Sequence, residues 1–320
     1  MSTLHVHMLY KPEQPYYDYF IKNLDKTIHI SFGLEPEVTN YSILISGRPP
    51  EKLLAKSKNL CSLIIPFSGI PHETSVILKK FSQIKLHNIH HNATITAEMA
   101  IALMMSTAKK IVTIDKQFRT HNWQGRMTPS PLLSQKNVLI LGYGAIGKRV
   151  ARICSALEMK VTAVRRTKGY NDNGIVVHNI GDIDELIPRS QVVIICLPQT
   201  PKTTNLLDSV RLNALPSQAI IVNIGRAVVI NEKALYTALC ERRLFAGLDV
   251  WYNYPKKNQM KDFLPANFPF HELNNVVMSP HRAGRCDEVE FLRMDHLIHL
   301  LNTKASGKKM PNEIDINRGY

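Results

Sequence analysis

The sequence predicts an α/β fold built on a doubly wound parallel sheet, and three observations predict it. Val138–Leu141 is an apolar run of β character that stops at Gly142-x-Gly144-x-x-Gly147, and a helical pattern of Val150, Ile153 and Leu157 follows at once. Strand-like runs then recur at Val161–Val164, Ile175–Val177, Val192–Cys196, Ile220–Asn223, Gly247–Val250 and Val276–Ser279, with helical or turn-rich segments between them. Residues 1–91 alternate short strands and helices of their own, which makes them a separate small α/β domain.

Each part of the Gly142–Gly147 stretch suits a dinucleotide. Gly142 permits the tight strand-to-helix turn, Gly144 lets a pyrophosphate approach the backbone, and Gly147 lets the helix pack closely on the strand. Tyr143, Ala145 and Ile146 complete the turn. The helix N-terminus offers unpaired N–H groups and the positive end of its dipole to the phosphates. The plainer reading, a glycine-rich connector, does not account for the strand before and the helix after.

Composition narrows the function classes. The chain has 320 residues, room for two domains, with 44% hydrophobic and 21% charged residues, as in soluble globular proteins. The net charge of +14 is compatible with an anionic partner, but lysine and arginine are scattered, with only short clusters such as Arg165-Arg166, Lys256-Lys257 and Lys308-Lys309. A basic, solubilising surface is therefore expected, and no nucleic-acid partner. Five widely spaced cysteines argue against a disulfide framework and for a reducing, cytoplasmic setting, with buried thiols as the default. The N-terminus has no basic region followed by an apolar stretch, and no apolar run is long enough to span a bilayer, so neither export nor a membrane partner is expected.

In chain order, strands are expected at Leu4–Met8, Ile28–Ile30, Ile43–Ile45 and Ser62–Ile65, and helices near Tyr17–Leu24, Pro50–Lys56 and Glu73–Lys80. The turn Pro66-Phe67-Ser68-Gly69-Ile70-Pro71 follows a strand's carboxyl end, where ligands bind in parallel α/β sheets; a simple connector is its plainer reading. His87, His90 and His91 raise the question of a metal, but no Cys or carboxylate stands at a supporting spacing, so a polar hinge is expected and no metal. Asn92 to His121 reads as one long helix, with Thr94 or Thr96 near its start and Ala97, Ile101, Met104, Met105, Ala108, Ile111 and Ile114 on an apolar face. Trp123 and a Gly/Pro-rich loop, Gly125 to Pro131, then lead to the Gly142 turn, which suggests a domain crossing. Asp287–Leu301 reads as a final amphipathic helix before a polar tail.

Three strand ends stand out: Cys196-Leu197-Pro198-Gln199-Thr200, Asn223-Ile224-Gly225-Arg226 and Ser279-Pro280-His281-Arg282-Ala283-Gly284. With Val138–Gly147, Leu197–Leu207, Ile221–Arg226, Gly247–Trp251 and Ser279–Gly284 in this order, the chain resembles the D-2-hydroxyacid dehydrogenases over nearly all of residues 60–320. Its ending, from Asn312 to Gly319-Tyr320, is similar too. The resemblance implies a Rossmann-type dinucleotide-binding domain, residues 92–283, inserted into a smaller flavodoxin-like α/β substrate domain of residues 1–91 and 284–320. It further implies an active site in the cleft and a homodimer. The family's carboxylate-clamping Arg falls on Arg226 and its acid/base His on His281. The turn at Ser68 and Gly69 matches the loop whose N–H groups hold the substrate carboxylate. Asp249 and Thr203 match cofactor-contacting positions, and Thr96, Cys196, Leu197, Pro198, Ile224 and Gly284 are expected beside them.

The residue types fit the chemistry on their own account. Hydride transfer to a 2-keto acid needs a cation on the carboxylate, and an Arg fork suits this better than a Lys point charge. It needs a proton donor near neutral pH, for which His is suited. The plainer readings are a surface ion-pair arginine and a packed histidine; both residues at strand ends favour catalysis.

Two departures from the family pattern carry consequences. Where NAD-specific members place an acid after the second cofactor strand, this chain has Arg165, Arg166 and Thr167, so NADP(H) is expected in preference, with NAD(H) possible. Where the family has its catalytic Glu before a Pro, this chain reads Tyr254-Pro255. A phenol there orients His281 by a hydrogen bond but brings no charge. The expected function is an NAD(P)-dependent 2-hydroxyacid dehydrogenase or 2-keto acid reductase, acting on a glyoxylate-, hydroxypyruvate- or pyruvate-like substrate. The alternative is a dinucleotide-sensing, corepressor-like protein of the same fold with little or no turnover.

Overall fold

A computed structural model describes residues 3–36, 39–167, 170–172, 174–256 and 258–316. Residues 317–320 of the C-terminal motif, and Lys257 of the Lys256-Lys257 pair, lie outside the described residues. The chain divides into two compact units, Met1–Asn92 with Cys286–Tyr320, and Ala93–Arg285.

The first unit opens with β1 (Leu4–Met8), α1 (Tyr16–Asn23), β2 (Ile28–Phe32), β3 (Ile43–Ile45), α2 (Glu51–Lys56), β4 (Ser62–Ile65), α3 (His72–Leu78) and β5 (Lys85–Asn88). The returning chain adds the last helix, α10 (Val289–Ala305), and the last strand, β14 (Glu313–Ile314). Strands run β14-β5-β4-β3-β1-β2, all parallel except β14, which pairs antiparallel with β5. Alternation along the strands sends Ile43, Ile45 and Ile64 to one core with Phe20, Leu297 and Leu301, and Leu44, Leu63 and Ile65 to the other with Leu53 and Leu78. His87 lies within β5, its Nδ1 2.9 Å from the Pro311 carbonyl oxygen, so it belongs to a sheet rather than a hinge.

The second unit begins with α4 (Ala93–Ala108) and α5 (Ile111–Phe118), where one helix was expected. Lys110 breaks it with φ 53°, a left-handed residue of the kind that closes helices. The break divides the apolar face: Ala97, Ala100 and Met104 are buried, whereas no residue of α5 is. Then come β6 (Asn137–Leu141), α6 (Ala145–Ala156), β7 (Lys160–Arg165), β8 (Tyr170–Asp172), β9 (Ile175–Asn179), α7 (Ile183–Leu186), β10 (Val192–Ile195), α8 (Ser209–Ala214), β11 (Ala219–Asn223), α9 (Glu232–Cys240), β12 (Leu244–Leu248) and β13 (Val276–Met278). Their order is β13-β12-β11-β10-β6-β7-β9-β8, parallel throughout except for β8 on the edge. The chain leaves β6 in both directions, so the sheet reverses its winding beside the Gly142 turn, where doubly wound sheets bind ligands. Leu139 and Leu141 face one core and Val138 and Ile140 the other. Among the described residues, no helix is long and apolar enough to cross a membrane.

Candidate active site

Strand register collects the candidate residues of the second unit along one edge. Ile195 pairs with Leu141 and with Asn223, Asn223 with Leu248, and Leu248 with Met278. The residues that follow these strand ends are Gly142, Cys196, Ile224, Asp249 and Ser279. Arg226 and His281 lie two residues further along their respective loops.

The turn after β6 is shaped for a backbone-held anion. Gly142 has φ 104°, a conformation side chains disfavour, and its N–H bonds the Val164 carbonyl at 3.0 Å. A Cβ at Gly147 would overlap the Gly142 carbonyl oxygen, whereas one at Gly144 would meet nothing within 4 Å. Gly144 caps α6 with no side-chain hydrogen bond, so the first-turn N–H groups from Ala145 and Ile146 onward have no side-chain cap. Tyr143 is buried, with Lys148 Nζ 5.4 Å from its ring centroid. These residues fit a dinucleotide pyrophosphate. Arg165 closes β7, and Arg166 and Thr167 follow it, exposed.

Other expected cofactor positions have different surroundings. Cys196 takes its place through an N–H bond to the Leu141 carbonyl at 2.8 Å, and burial pushes its thiol up to about 12, as it does for Cys154. Neither is a reactive thiolate at neutral pH. Cys240 is exposed and Cys61 and Cys286 are half-buried, so the expectation of buried thiols holds fully only for Cys154. Leu197 is buried, and Pro198 gives its carbonyl to the Thr203 hydroxyl at 2.7 Å. The Thr203 oxygen also accepts the Thr200 N–H at 2.8 Å, so its hydroxyl braces this loop. Thr96 and Ile224 are buried, and Gly284 follows Ala283 in the turn after His281.

Arg226 and His281 both reach the surface, His281 with its ring partly covered, on loops held by buried side chains. Asn223, 1% exposed, accepts the Gly225 N–H at 3.1 Å and donates its amide to the Arg226 carbonyl at 3.1 Å. His281 has φ 53°, a left-handed conformation that a non-glycine residue holds only where its surroundings fix it. Asp249 supplies much of that fixing. Its carboxylate accepts the Arg282 and Ala283 N–H groups, each at 2.9 Å, and the Ser279 hydroxyl. Asp249, expected among the cofactor-contacting residues, is 0% exposed and braces the His281 loop. The Trp251 indole N–H adds a bond to the Ser279 carbonyl at 2.8 Å.

Tyr254 stands beside His281, ring centroids 5.3 Å apart and tilted by 54°. The hydrogen bond expected from its hydroxyl to the imidazole is not what the structure has: that oxygen accepts the Trp251 N–H at 3.1 Å. Partial burial, and then the Arg226 guanidinium, hold His281 below the ordinary His pKa, while Asp249 pulls the other way. Burial raises the Tyr254 phenol, so it stays neutral.

In the first unit, the Ser68–Gly69 turn is braced by its own side chains. Ser68 Oγ donates to the Ile89 carbonyl at 3.2 Å and to Asn92 Oδ1 at 3.0 Å, and the Asn88 amide donates to the Ser68 carbonyl at 2.7 Å. The Ser68 and Gly69 N–H groups take no partner among the described residues. Burial holds His91 down at about 4, and no metal-holding cluster occurs among the described residues. Sequence reasoning missed the bracing residues Asn223, Trp251 and Ser279; no periodic or motif signal marks a side chain that bonds a backbone two loops away.

Residues 101–283 match the family model of the D-isomer specific 2-hydroxyacid dehydrogenase NAD binding domain. The 2-ketogluconate reductase of Gluconobacter oxydans (strain 621H) is 34% identical over 218 residues, 65% of this chain and 66% of that protein. The match thus spans slightly less than two thirds of that relative. Among solved structures, a D-isomer specific 2-hydroxyacid dehydrogenase from Xanthobacter autotrophicus Py2, in complex with NADPH and MES, superposes with a TM-score of 0.81 at 21% identity, covering 100% of both chains. An NADPH-dependent glyoxylate/hydroxypyruvate reductase from Sinorhizobium meliloti, in complex with NADP and sulfate, does so with a TM-score of 0.79 at 19% identity, covering 99% of this chain and 100% of that one. At those identities the two structures establish the fold.

Proposed function

The chain belongs to the D-isomer specific 2-hydroxyacid dehydrogenase family, and from that premise we propose that it is an NADPH-dependent reductase of small 2-keto acids, with Arg226 and His281 as its catalytic residues. The observation that carries the reading is that the Gly142–Gly147 turn and the loops of Arg226 and His281 all leave one edge of the sheet, from strand ends in register. Relatives that reduce 2-ketogluconate and glyoxylate, and fold neighbours holding NADPH or NADP, support the substrate class and the cofactor.

The Gly142–Gly147 turn and the α6 N-terminus would hold the pyrophosphate, and Arg165, Arg166 and Thr167 the 2′-phosphate. The nicotinamide, when bound, supplies a hydride. Arg226 holds the substrate carboxylate by a bidentate, charge-assisted pair and polarises the ketone. His281 in its protonated form gives a proton to the substrate oxygen as that oxygen becomes an alkoxide. Tyr254 packs against the imidazole, and Asp249 keeps its loop in place. In the first unit, the N–H groups of Ser68 and Gly69 are the proposed carboxylate donors.

A homodimer is part of the proposal. Ile111, Val112, Phe118, Trp123, Met127 and Leu132 are large apolar side chains at least half exposed within one stretch of the second unit. Grouped exposure of this kind marks an association surface. A cytoplasmic setting fits the free cysteines. The test is NADPH oxidation, followed by absorbance, with glyoxylate, hydroxypyruvate, pyruvate and 2-ketogluconate. Turnover with at least one supports the reading; cofactor binding without turnover on any would favour a dinucleotide sensor.

A further inference from the structure

The surroundings of His281 suit a substrate other than a ketone. Three groups act on the imidazole. The Tyr254 ring lies 5.3 Å away and is neutral, its hydroxyl oxygen taken by the Trp251 N–H. Asp249 has its carboxylate taken by Ser279, Arg282 and Ala283. Partial burial, and then the Arg226 guanidinium, disfavour a positive charge on the ring, and among the described residues Asp249 pulls the other way. Among the described residues, no carboxylate accepts a hydrogen bond from the ring. The site therefore presents a neutral imidazole, with one bare nitrogen that accepts, beside an aromatic face.

A ketone and an iminium ask opposite things of that ring. Hydride addition to a ketone generates an alkoxide, which must be given a proton. An iminium carries its proton already and becomes a neutral amine on addition, so no acid is needed. Its N–H donates, and a neutral imidazole accepts it. Its positive charge is attracted by an aromatic face such as that of Tyr254. Its carboxylate pairs with Arg226 as a keto acid's does, and because that carboxylate offsets the iminium charge, the substrate as a whole brings no net positive charge beside the guanidinium.

We propose that this site also reduces 2-imino acids, the condensation products of a 2-keto acid with ammonia or a primary amine, to 2-amino or N-alkyl-2-amino acids. The proposal rests on the hydride-transfer reading above. A hydride passes with its electron pair from the reduced nicotinamide to the imine carbon, and the C=N π pair moves onto nitrogen. The iminium charge is thereby neutralised and the cofactor is oxidised by two electrons. The product amine then takes its ammonium proton from water. His281 accepts the iminium N–H and Tyr254 faces the charge; neither transfers a proton in the hydride step.

The experiment supplies NADPH with pyruvate, or with glyoxylate, in the presence and absence of excess methylamine. It is run at pH ~9, well above the ordinary His pKa of about 6.5, and repeated under mildly acid conditions. NADPH loss is followed by absorbance, and N-methylalanine or N-methylglycine by mass spectrometry. The expected result at alkaline pH is oxidation that depends on methylamine, with one N-methylamino acid formed per NADPH. In His281→Ala, ketone reduction should fall by roughly 100-fold or more, the usual scale of lost acid catalysis, and imine reduction by less than about tenfold. Calorimetry adds a readout without turnover: with the oxidised cofactor present, N-methylalanine should bind at least as tightly as lactate, and Tyr254→Leu should weaken the former more than the latter. Ketone reduction at acid pH with no N-methylamino acid under any condition would overturn this proposal alone. Equal losses of both activities in His281→Ala would overturn the role given to the imidazole. No NADPH oxidation with any mixture at any pH would overturn the proposal together with the keto-acid reading.

Discussion

The Tyr254 ring packs against the His281 imidazole at 5.3 Å, yet its hydroxyl oxygen accepts the backbone N–H of Trp251. The phenol is therefore a wall for the imidazole, anchored to its own loop. Tyr254→Phe should leave the His281 titration in place and cost stability instead, because the Trp251 N–H loses its partner. A neutral hydrogen bond of this kind contributes about 0.5–1.5 kcal/mol. Urea unfolding of the two proteins checks this, and a pH profile displaced in Tyr254→Phe would refute it.

Asp249 holds the loop that carries His281, and its removal should be felt there first. Asp249→Asn keeps the shape but loses the charge, so the bonds from Arg282, Ala283 and Ser279 weaken, and one amide hydrogen faces a donor. A buried charged hydrogen-bonded group of this sort contributes on the order of 1.5–3 kcal/mol to stability. The same change deletes a charge that raises the His281 pKa, so that pKa should fall further. Denaturant unfolding and an NMR titration of the imidazole measure the two effects; an unchanged titration would mean Asp249 acts on the loop alone.

The catalytic assignment separates into two losses. Arg226→Ala should lower kcat/KM through a lost charge-assisted contact of roughly 1.5–3 kcal/mol, one to two decades. His281→Ala should lower kcat for keto-acid reduction by roughly 100- to 10,000-fold. Steady-state kinetics with cofactor binding measured alongside decides it: both variants turning over as the wild type does would remove these residues from the mechanism.

Arg165 ends β7 where an acid would repel a 2′-phosphate. NADPH should be favoured over NADH by roughly 10- to 100-fold, the worth of one or two charge-assisted bonds, and Arg165→Asp should shift the preference toward NADH. Titration of both cofactors into both proteins is the measurement, and equal or tighter NADH binding by the wild type would contradict it.

Much of this was legible in the sequence because parallel strands buried on both faces read as short apolar runs. β1, β3 and β4 fall where the runs lie, and the Gly142–Gly147 turn declares itself by spacing. The edge strands β8 and β14 do not, since segments of three and two residues carry no alternation. The helix break at Lys110 was hidden because apolar residues continue through Ile111 and Ile114, whose exposure depends on what the second unit leaves uncovered. In the candidate site, Arg226 and His281 were visible as residue types at strand ends. The bracing by Asp249, Asn223 and Trp251 was not, because it consists of side-chain bonds to backbone brought near only by the sheet register.

The claim on which the account depends is that His281, protonated, gives the proton in keto-acid reduction, with no carboxylate hydrogen-bonded to its ring among the described residues. Its folded pKa is lowered by partial burial and Arg226, so the protonated, competent form is lost as pH rises through a value below the ordinary His pKa. The direct measurement is the pH dependence of kcat/KM for reduction by NADPH, with deuterated cofactor confirming that hydride transfer limits the rate. The wild-type enzyme should lose activity as pH rises through a value near or below ~6.5, and Tyr254→Glu should move that limb upward. A wild-type limb well above pH ~8, far from any His lowered by these groups, would contradict the account and mean that another carboxylate serves His281.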